Sequence, residues 1–300
     1  MLERDERVVA LRRDVEPDSR FVTTGLERRC VVALADLTDY ASISRILNEH
    51  EVRTVFHLAA QAIVGLANRA PLGTWESNVR GTYTLLEACR AAGSQVERIV
   101  VASSDKAYGD HRELPYREDF ALRARHPYEV SKACADMIAR SYASTYDLPL
   151  AVTRLANVYG PGDLNWSRLI PETARALARA ERPVIRSDGT AERDYLFVDD
   201  AVDAYLTVAA SLDRAGFRGR AWNAGCEAPV SVHEVVWRLI EISGRDVDPE
   251  VRGEGPPPGE IDRQYLDSSA IREELGWQPR FDLERGLAIT WEWYRREFGT

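Results

Sequence analysis

Short apolar runs alternate with longer amphipathic segments along the first half of the chain. The apolar runs, which are rich in β-branched residues, predict strands at residues 7–11, 53–58, 98–102 and 150–155. Segments with helical periodicity lie between them, at residues 40–50, 74–92 and 127–146. This alternation is typical of a parallel sheet covered by helices, so the sequence predicts an α/β fold.

The pattern changes after residue 157, where shorter elements are joined by Gly and Pro turns. Helices are predicted at residues 168–180, 200–212, 232–242, 269–275 and 283–298. Ser231 followed by Glu234 is a capping-box arrangement, and residues 253–259, with three consecutive prolines, are predicted to form a loop. The sequence therefore predicts a larger domain over residues 1–160, which also takes in about residues 196–222, and a smaller interleaved α/β domain over residues 161–300.

The start of the chain lacks a feature that a Rossmann-like, doubly wound sheet needs. Such a sheet carries a Gly-rich turn after its first strand and a ribose-binding residue about 20 residues later. Residues 8–14 have the pattern of the second strand and its ribose-binding end, so the first strand and its turn are expected to precede Met1. Either the start codon was assigned too late, which we favour, or the sheet has lost its central strand. An upstream frame encoding G-x-x-G-x-x-G within about 30 codons would decide for the first.

The composition narrows the class of protein. With 45% hydrophobic and 29% charged residues, the chain is expected to be globular rather than disordered. A formal net charge of -9 leaves no broad cationic surface, which argues against nucleic-acid and membrane-surface binding. The four cysteines are far apart without a C-x-x-C pair, so we expect neither a metal site nor a disulfide framework. No targeting segment or membrane span stands out, and a cytoplasmic protein is expected.

Lysine is almost absent, because only Lys106 and Lys132 are lysines among the 39 basic residues. Arginine cannot exchange its proton near neutral pH, so a lysine retained among arginines draws attention to proton chemistry. Lys132 follows Tyr128 by four residues, which places both side chains on one face of the predicted helix. A nearby ammonium favours the phenolate, which could take a proton from an alcohol. A purely structural pair is the alternative.

The second lysine lies in the sequence Ser104-Asp105-Lys106, directly after the strand predicted at residues 98–102. Ligands of open α/β sheets bind beyond the carboxyl ends of the strands. A hydroxyl, an acid and an amine at such an end suit acid-base chemistry. The alternative is a turn with a surface Asp-Lys pair.

Several sequence blocks together resemble the extended short-chain dehydrogenase/reductase family, which contains the NAD-dependent nucleotide-sugar epimerases and dehydratases. Besides Ser104, Tyr128 and Lys132, the matching blocks lie at residues 36–37, 58–61, 78–82, 154–162, 193–195, 198–200 and 262–263. They are spread over nearly the whole chain and are specific in combination. The resemblance implies a nucleotide-sugar substrate bound mainly by residues 161–300, and a homodimer formed through the helices at residues 74–92 and 127–146.

The resemblance also implies roles for individual residues. Ser104, Tyr128 and Lys132 would activate the sugar hydroxyl. The cofactor-binding residues that it implies are Asp36, Leu37, Leu58, Ala59, Ala60, Asn78, Ser103, Tyr128 and Lys132. The substrate-binding residues that it implies are Gln61, Asn157, Arg168, Arg193 and Arg263. Of these, Asn157, Arg193 and Arg263 would hold the nucleotide diphosphate, which suits the planar fork of arginine.

The order Ser-Asp-Lys resembles the CDP-glucose 4,6-dehydratase branch, since simple epimerases carry small or neutral residues at the last two positions. In this hypothesis Lys106 removes the C5 proton of a 4-keto sugar and Asp105 protonates the departing C6 hydroxyl. The alternatives are an NDP-sugar C4 epimerase and, from another class, a truncated non-catalytic paralogue that binds nucleotide sugar.

The end of residues 8–14 bears on the choice of cofactor. The dehydratase branch implies NAD, and Asp14 favours NAD through the ribose 2′-hydroxyl. Arg12 and Arg13 could instead accept the 2′-phosphate of NADP, so NADP is the alternative cofactor.

Overall fold

The computed structural model describes residues 1–255 and 261–299, so the predicted loop at residues 253–259 lies outside the described residues from position 256 onward. Two compact units share the chain. The first unit consists of Met1–Ser103, Arg125–Val152 and Ala209–Arg220. The second unit consists of Ser104–Ala124, Thr153–Val208 and Ala221–Thr300. These units interleave more finely than the predicted domains at residues 1–160 and 161–300, whose division into cofactor and substrate domains stays a prediction.

Short strands alternate with helices along the described chain. The strands are β1 (Val9–Arg12), β2 (Val31–Leu34), β3 (Thr54–His57), β4 (Arg98–Ala102), β5 (Leu150–Leu155), β6 (Asn157–Tyr159), β7 (Val184–Ile185), β8 (Glu192–Arg193), β9 (Tyr195–Phe197), β10 (Ala221–Ala224), β11 (Val230–Ser231), β12 (Glu250–Val251) and β13 (Arg263–Gln264). The helices are α1 (Arg20–Thr23), α2 (Tyr40–Glu49), α3 (Val64–Arg69), α4 (Pro71–Thr74), α5 (Gly81–Ala91), α6 (Pro127–Tyr146), α7 (Leu169–Ala178), α8 (Val198–Ser211), α9 (Val232–Ser243), α10 (Ser269–Leu275) and α11 (Leu283–Phe298). None of these helices combines the length and the apolar character that a membrane crossing requires.

The first unit contains two groups of parallel strands. β1 pairs with β2, and β3 pairs with β4, which has the start of β5 on its other side. The middle of β4 is fully buried, with α2, α5 and α6 packed in the same unit. Among the described residues, β1 and β3 each pair along one edge only. The parallel pairing of these strands confirms the predicted α/β class with a parallel sheet.

The second unit holds the end of β5 beside β10, together with several short sheets. β6 pairs with β9, β12 pairs with β7, and β8 lies between β11 and β13. A hydrophobic core is formed by α7, α9 and α11, with Leu177, Leu239 and Leu287 fully buried. The hydroxyl of Ser231 accepts the backbone N–H of Glu234 at 3.1 Å, so α9 begins at the predicted capping residue.

For several elements with strong sequence patterns, the predicted first and last residues agree with the structure. β4, β5, α6, α10 and α11 have their predicted bounds. β2 and α3 were not predicted, because a run of four apolar residues and a helix of six residues are too short to show a period. The helix predicted at residues 74–92 begins earlier, at Pro71, and contains a π-helical turn at Trp75–Arg80.

Candidate active site

A cavity of about 450 Å³ lies in the first unit at the carboxyl ends of β1, β2 and β3. The predicted cofactor residues on its wall are Arg12, Arg13, Asp36, Leu37, Ala59 and Ala60. Gln61, which the resemblance assigns to the substrate, lines the same cavity. Leu58 is not on this wall and is 55% exposed. The sequence did not predict the other lining residues, which are Ala10, Leu11, Glu16, Ser19, Phe21, Ala35 and Ser77. Among them only Ser77 could have been found from the sequence, because it directly precedes Asn78.

Asn78 supports the wall of this cavity through hydrogen bonds to the lining residue Gln61. It lies in the π-helical turn, and its side chain is almost fully buried. Its Oδ1 accepts the backbone N–H of Gln61 at 2.6 Å, and its Nδ2 donates to the Ser131 hydroxyl on α6 at 2.8 Å. Asn78 therefore fixes the loop after β3 to the helix that carries Tyr128 and Lys132. π-Helical turns are frequent at functional sites, which suits this position.

Tyr128 and Lys132 lie one turn apart on α6 and are 8% and 7% exposed. The helix begins at Pro127, and the Glu129 carboxylate accepts the backbone N–H of His126 at 3.3 Å. Lys132 Nζ donates to the carbonyl oxygen of Ala102, the last residue of β4, at 2.7 Å. Burial lowers the pKa of Lys132 to about 8, so this lysine can exchange its proton near neutral pH.

Two further side chains lie close to Lys132 in the first unit. The Ser103 hydroxyl donates to the backbone carbonyl of Lys132 at 3.5 Å. The ring of His57 is buried and shares a hydrogen bond of 2.8 Å with the Thr82 hydroxyl. Burial, together with the charge of Lys132, lowers the pKa of His57 to about 3, so His57 stays neutral at physiological pH.

Lys132→Met is expected to change how stability depends on pH between about 8 and 10. The pKa of Lys132 is about 8 in the folded protein and near 10.5 when unfolded, so in this window the unfolded chain binds more protons. The wild type therefore gains up to about 3 kcal/mol relative to the variant as the pH rises. Urea unfolding across this range measures the gain, and a difference that stays constant with pH would contradict it. His57 titrates far below this window, so it does not interfere.

In the second unit, Asp105 and Lys106 begin a 3-10 turn that extends from Asp105 to Tyr108. The Ser104 hydroxyl donates to Asp105 Oδ1 at 2.9 Å and accepts the backbone N–H of Lys106 at 3.2 Å. Asp105 is 2% exposed, and its Oδ2 has no hydrogen-bond partner among the described residues. Burial raises the pKa of Asp105 although the charges of Lys106 and Arg193 oppose the rise. Burial therefore favours the protonated, proton-donating form of Asp105 more than exposure to water would.

A buried polar network holds this turn in place. The Tyr108 hydroxyl donates to Asn223 Oδ1 at 2.7 Å and accepts a hydrogen bond of 2.8 Å from the Arg154 guanidinium. The same guanidinium lies over the Tyr108 ring, 4.8 Å from its centroid. The turn ends at Gly109, whose φ of 68° and closeness to the Arg123 carbonyl exclude a side chain. Asp105 and Lys106 thus lie on a rigid backbone.

The predicted substrate residues of the second unit do not all lie together. Asn157 donates its backbone N–H to the Asp194 carbonyl, so it lies beside Arg193, which precedes Asp194 in the chain. Arg193 on β8 faces β13, and Arg263 on β13 forms an ion pair of 2.6 Å with Glu192. The structure therefore brings Asn157, Arg193 and Arg263 to neighbouring strands.

Arg168 has a different environment. It precedes α7, where its guanidinium forms an ion pair of 2.9 Å with Asp163. Arg168 is half exposed, so it would have to leave this carboxylate to bind a phosphate.

The cavity of the first unit fits the adenosine half of a nicotinamide dinucleotide. Leu37, Ala59 and Ala60 offer apolar walls for a base, and the carboxylates of Asp14 and Asp36 offer acceptors for ribose hydroxyls. None of the described residues on this wall is a glycine, so the wall lacks a Gly-rich turn for the diphosphate. The fit therefore covers adenine and ribose.

Comparison with known proteins adds to this geometry. A model of the GDP-mannose 4,6 dehydratase family matches residues 2–290. The CDP-glucose 4,6-dehydratase of Salmonella typhimurium is 31% identical over 276 residues, which are 87% of this chain and 76% of that protein. The UDP-glucose 4-epimerase of Mycolicibacterium smegmatis is 34% identical over 272 residues, which are 88% of this chain and 82% of that protein.

A solved structure extends the similarity to the fold. A double mutant of dTDP-glucose 4,6-dehydratase from Streptomyces venezuelae, with NAD bound, has a TM-score of 0.86 at 29% identity and covers 96% of this chain and 87% of that one. The resemblance stated from the sequence blocks is confirmed. The chain belongs to the family of GDP-mannose 4,6-dehydratase and related nucleotide-sugar dehydratases and epimerases.

Proposed function

We propose that the protein is a nucleotide-sugar 4,6-dehydratase that uses NAD and converts an NDP-hexose, such as CDP-glucose, to the 4-keto-6-deoxy sugar. The observation that carries this proposal is the state of Asp105. Its carboxyl is buried, its Oδ2 has no partner among the described residues, and burial raises its pKa beside Lys106, which makes it a better proton donor than an exposed aspartate. A C4 epimerase has no elimination step, so it would not need this acid and base.

Each residue has a defined task in the proposed reaction. Tyr128, with Lys132 beside it on α6, accepts the proton of the C4 hydroxyl. NAD, when bound, would accept a hydride from C4 and return one to C6. Lys106 removes the C5 proton, which the new ketone acidifies, and Asp105 gives its proton to the C6 hydroxyl. A proton from solvent returns to C5 as C6 gains the hydride, so the sugar loses one water with no net oxidation.

The neighbouring arginines support a nucleotide diphosphate as the rest of the substrate. Arg193 and Arg263 lie on adjacent strands close to Asn157, and we assign all three to the phosphates. Two guanidinium groups can neutralise the two charges of a diphosphate and bind its oxygens in pairs.

A homodimer is proposed on the same unit that carries Tyr128. Large apolar side chains remain exposed on α5 and α6, namely Tyr83, Met137 and Tyr146. A second copy that covers these helices would bury them, and the mass of the protein in solution measures the association.

Lys106→Arg is expected to form no detectable 4-keto-6-deoxy product, because its rate of product formation should fall about 10²-fold or more. Arginine keeps the charge but cannot act as a base near neutral pH. Wild type and variant are incubated with NAD and CDP-glucose, and with UDP- and dTDP-glucose in parallel, and the product masses are measured. The wild-type product should be lighter by one water. A wild-type product of unchanged mass would favour the epimerase, and normal turnover by the variant would overturn the assignment of the base.

A further inference from the structure

Arg12, at the end of β1, is held by three contacts in the first unit. Its Nη1 lies 3.4 Å from the Glu27 carboxylate, and its Nε donates to the Asp14 carbonyl at 3.1 Å. Its guanidinium carbon lies 5.7 Å from the centroid of the Phe21 ring. The side chain is only 14% exposed. Arg12 lines the cavity, but its charge is directed toward Glu27.

Arg13 lies on the same wall and is surrounded by carboxylates. Its Nε contacts Asp14 Oδ2 at 2.6 Å. The hydrogen bond and the charge of Asp14 raise the pKa of Arg13, and Asp36 and Glu16 add to the rise. Asp36 itself stays ionised, since hydrogen bonds from the Thr38 hydroxyl and N–H lower its pKa.

The wall therefore has more negative than positive charge around the ribose position. Three lining carboxylates, those of Asp14, Glu16 and Asp36, face two lining guanidinium groups. Both guanidinium groups already have acidic partners. A ribose 2′-hydroxyl can donate a hydrogen bond to a carboxylate on this wall. A 2′-phosphate would instead add almost two negative charges beside these carboxylates.

We propose that Glu27 is a specificity-determining residue: by holding Arg12, it makes this cavity select a dinucleotide with a free 2′-hydroxyl over one with a 2′-phosphate. The inference rests on the proposed function, which assigns the cavity to the adenosine half of NAD. Glu27 itself does not line the cavity, so its effect on the ligand passes through Arg12. The two adjacent arginines that favour NADP in the sequence are thereby accounted for, because neither has a free charge.

Glu27→Gln tests the inference by binding rather than by turnover. Glutamine keeps the shape and loses the charge, which frees Arg12 for a phosphate, and a partly exposed ion pair contributes little to folding. The matched control is Glu49→Gln, which removes the same charge from an exposed ion pair with Arg45 on α2. Calorimetric titrations use AMP, adenosine 2′,5′-bisphosphate, NAD and NADP. The two fragments report on the ribose position without the nicotinamide half.

Wild type is expected to bind AMP about 10-fold more tightly than the bisphosphate. Glu27→Gln should tighten the bisphosphate and NADP about 10-fold, through a charge-assisted bond from Arg12, and leave AMP and NAD unchanged. Glu49→Gln should leave all four affinities unchanged. Equal effects of the two variants, or a wild-type preference for the bisphosphate, would overturn the role of Glu27. If the fragments behave as expected but NAD fails to bind, the proposed function fails and the inference stands.

Discussion

Tyr128→Phe is expected to lower the turnover number kcat about 10²- to 10⁴-fold, because phenylalanine cannot accept the proton of the C4 hydroxyl. Oxidation of C4 to a ketone precedes every later step, so both the dehydratase and the epimerase reaction depend on this proton transfer. The Tyr128 ring is buried on α6, and phenylalanine keeps this ring, so the helix should stay intact. Product formation from CDP-glucose with NAD measures kcat.

Tyr142→Phe is the matched control for this prediction. Tyr142 lies on the same helix, and its hydroxyl donates to the Glu87 carboxylate at 3.3 Å, away from Lys132. It should keep wild-type kcat. If both variants lose activity equally, the effect comes from the helix rather than from proton transfer. If Tyr128→Phe keeps normal turnover, another group is the base.

Asp105→Asn is expected to lower the rate of water loss about 10²- to 10⁴-fold, while proton removal at C5 continues. The amide has the same shape as the carboxyl but cannot protonate the departing hydroxyl. Lys106 remains free to remove the C5 proton. In deuterated water the recovered substrate should therefore gain deuterium at C5 without a change in its oxygen content, whereas Lys106→Arg should show neither deuterium nor product.

The same variant is expected to be more stable than the wild type at pH 7. Burial raises the pKa of Asp105, so above the ordinary pKa of an aspartate this carboxyl costs folding free energy that asparagine does not. The difference should shrink as the pH falls from the raised pKa of the folded state toward the ordinary pKa of an aspartate, below which both folded and unfolded chains are protonated. Thermal unfolding measures it.

Asp119→Asn serves as the control for both readouts. Asp119 is exposed and pairs with Arg117 at the surface of the second unit. This variant should change neither water loss nor the pH dependence of stability. A stability change equal to that of Asp105→Asn would show that general charge, rather than burial, sets the effect.

The placement of the proposed catalytic groups on their elements could be predicted from the sequence, because it depends on local order. Tyr128 and Lys132 are four residues apart in a segment of clear helical period, and α6 has the predicted bounds. The Ser-Asp-Lys order is equally local. Their electrostatic state could not be predicted, because it depends on burial by residues distant in the chain. Arg154 and Asn223 hold the turn of Asp105 through Tyr108, and nothing near Asp105 indicates them.

The cavity shows the same limit. Arg12 and Arg13 were evident at a strand end, but the pairing of Arg12 with Glu27 joins residues across a segment without periodicity. The strand β2, which brings Asp36 beside this wall, is a run of only four apolar residues. Its length hides it among ordinary loop sequence.

The most direct test of the central claim is the conversion of CDP-glucose by the wild-type protein with NAD in deuterated water. The mass of the product and the position of its deuterium are measured. The proposed dehydratase predicts a 4-keto-6-deoxy product that has lost one water and carries one deuterium at C5, because the C5 proton leaves to Lys106 and returns from solvent. A product of unchanged composition without deuterium would contradict the claim, since C4 epimerisation needs no exchange at C5.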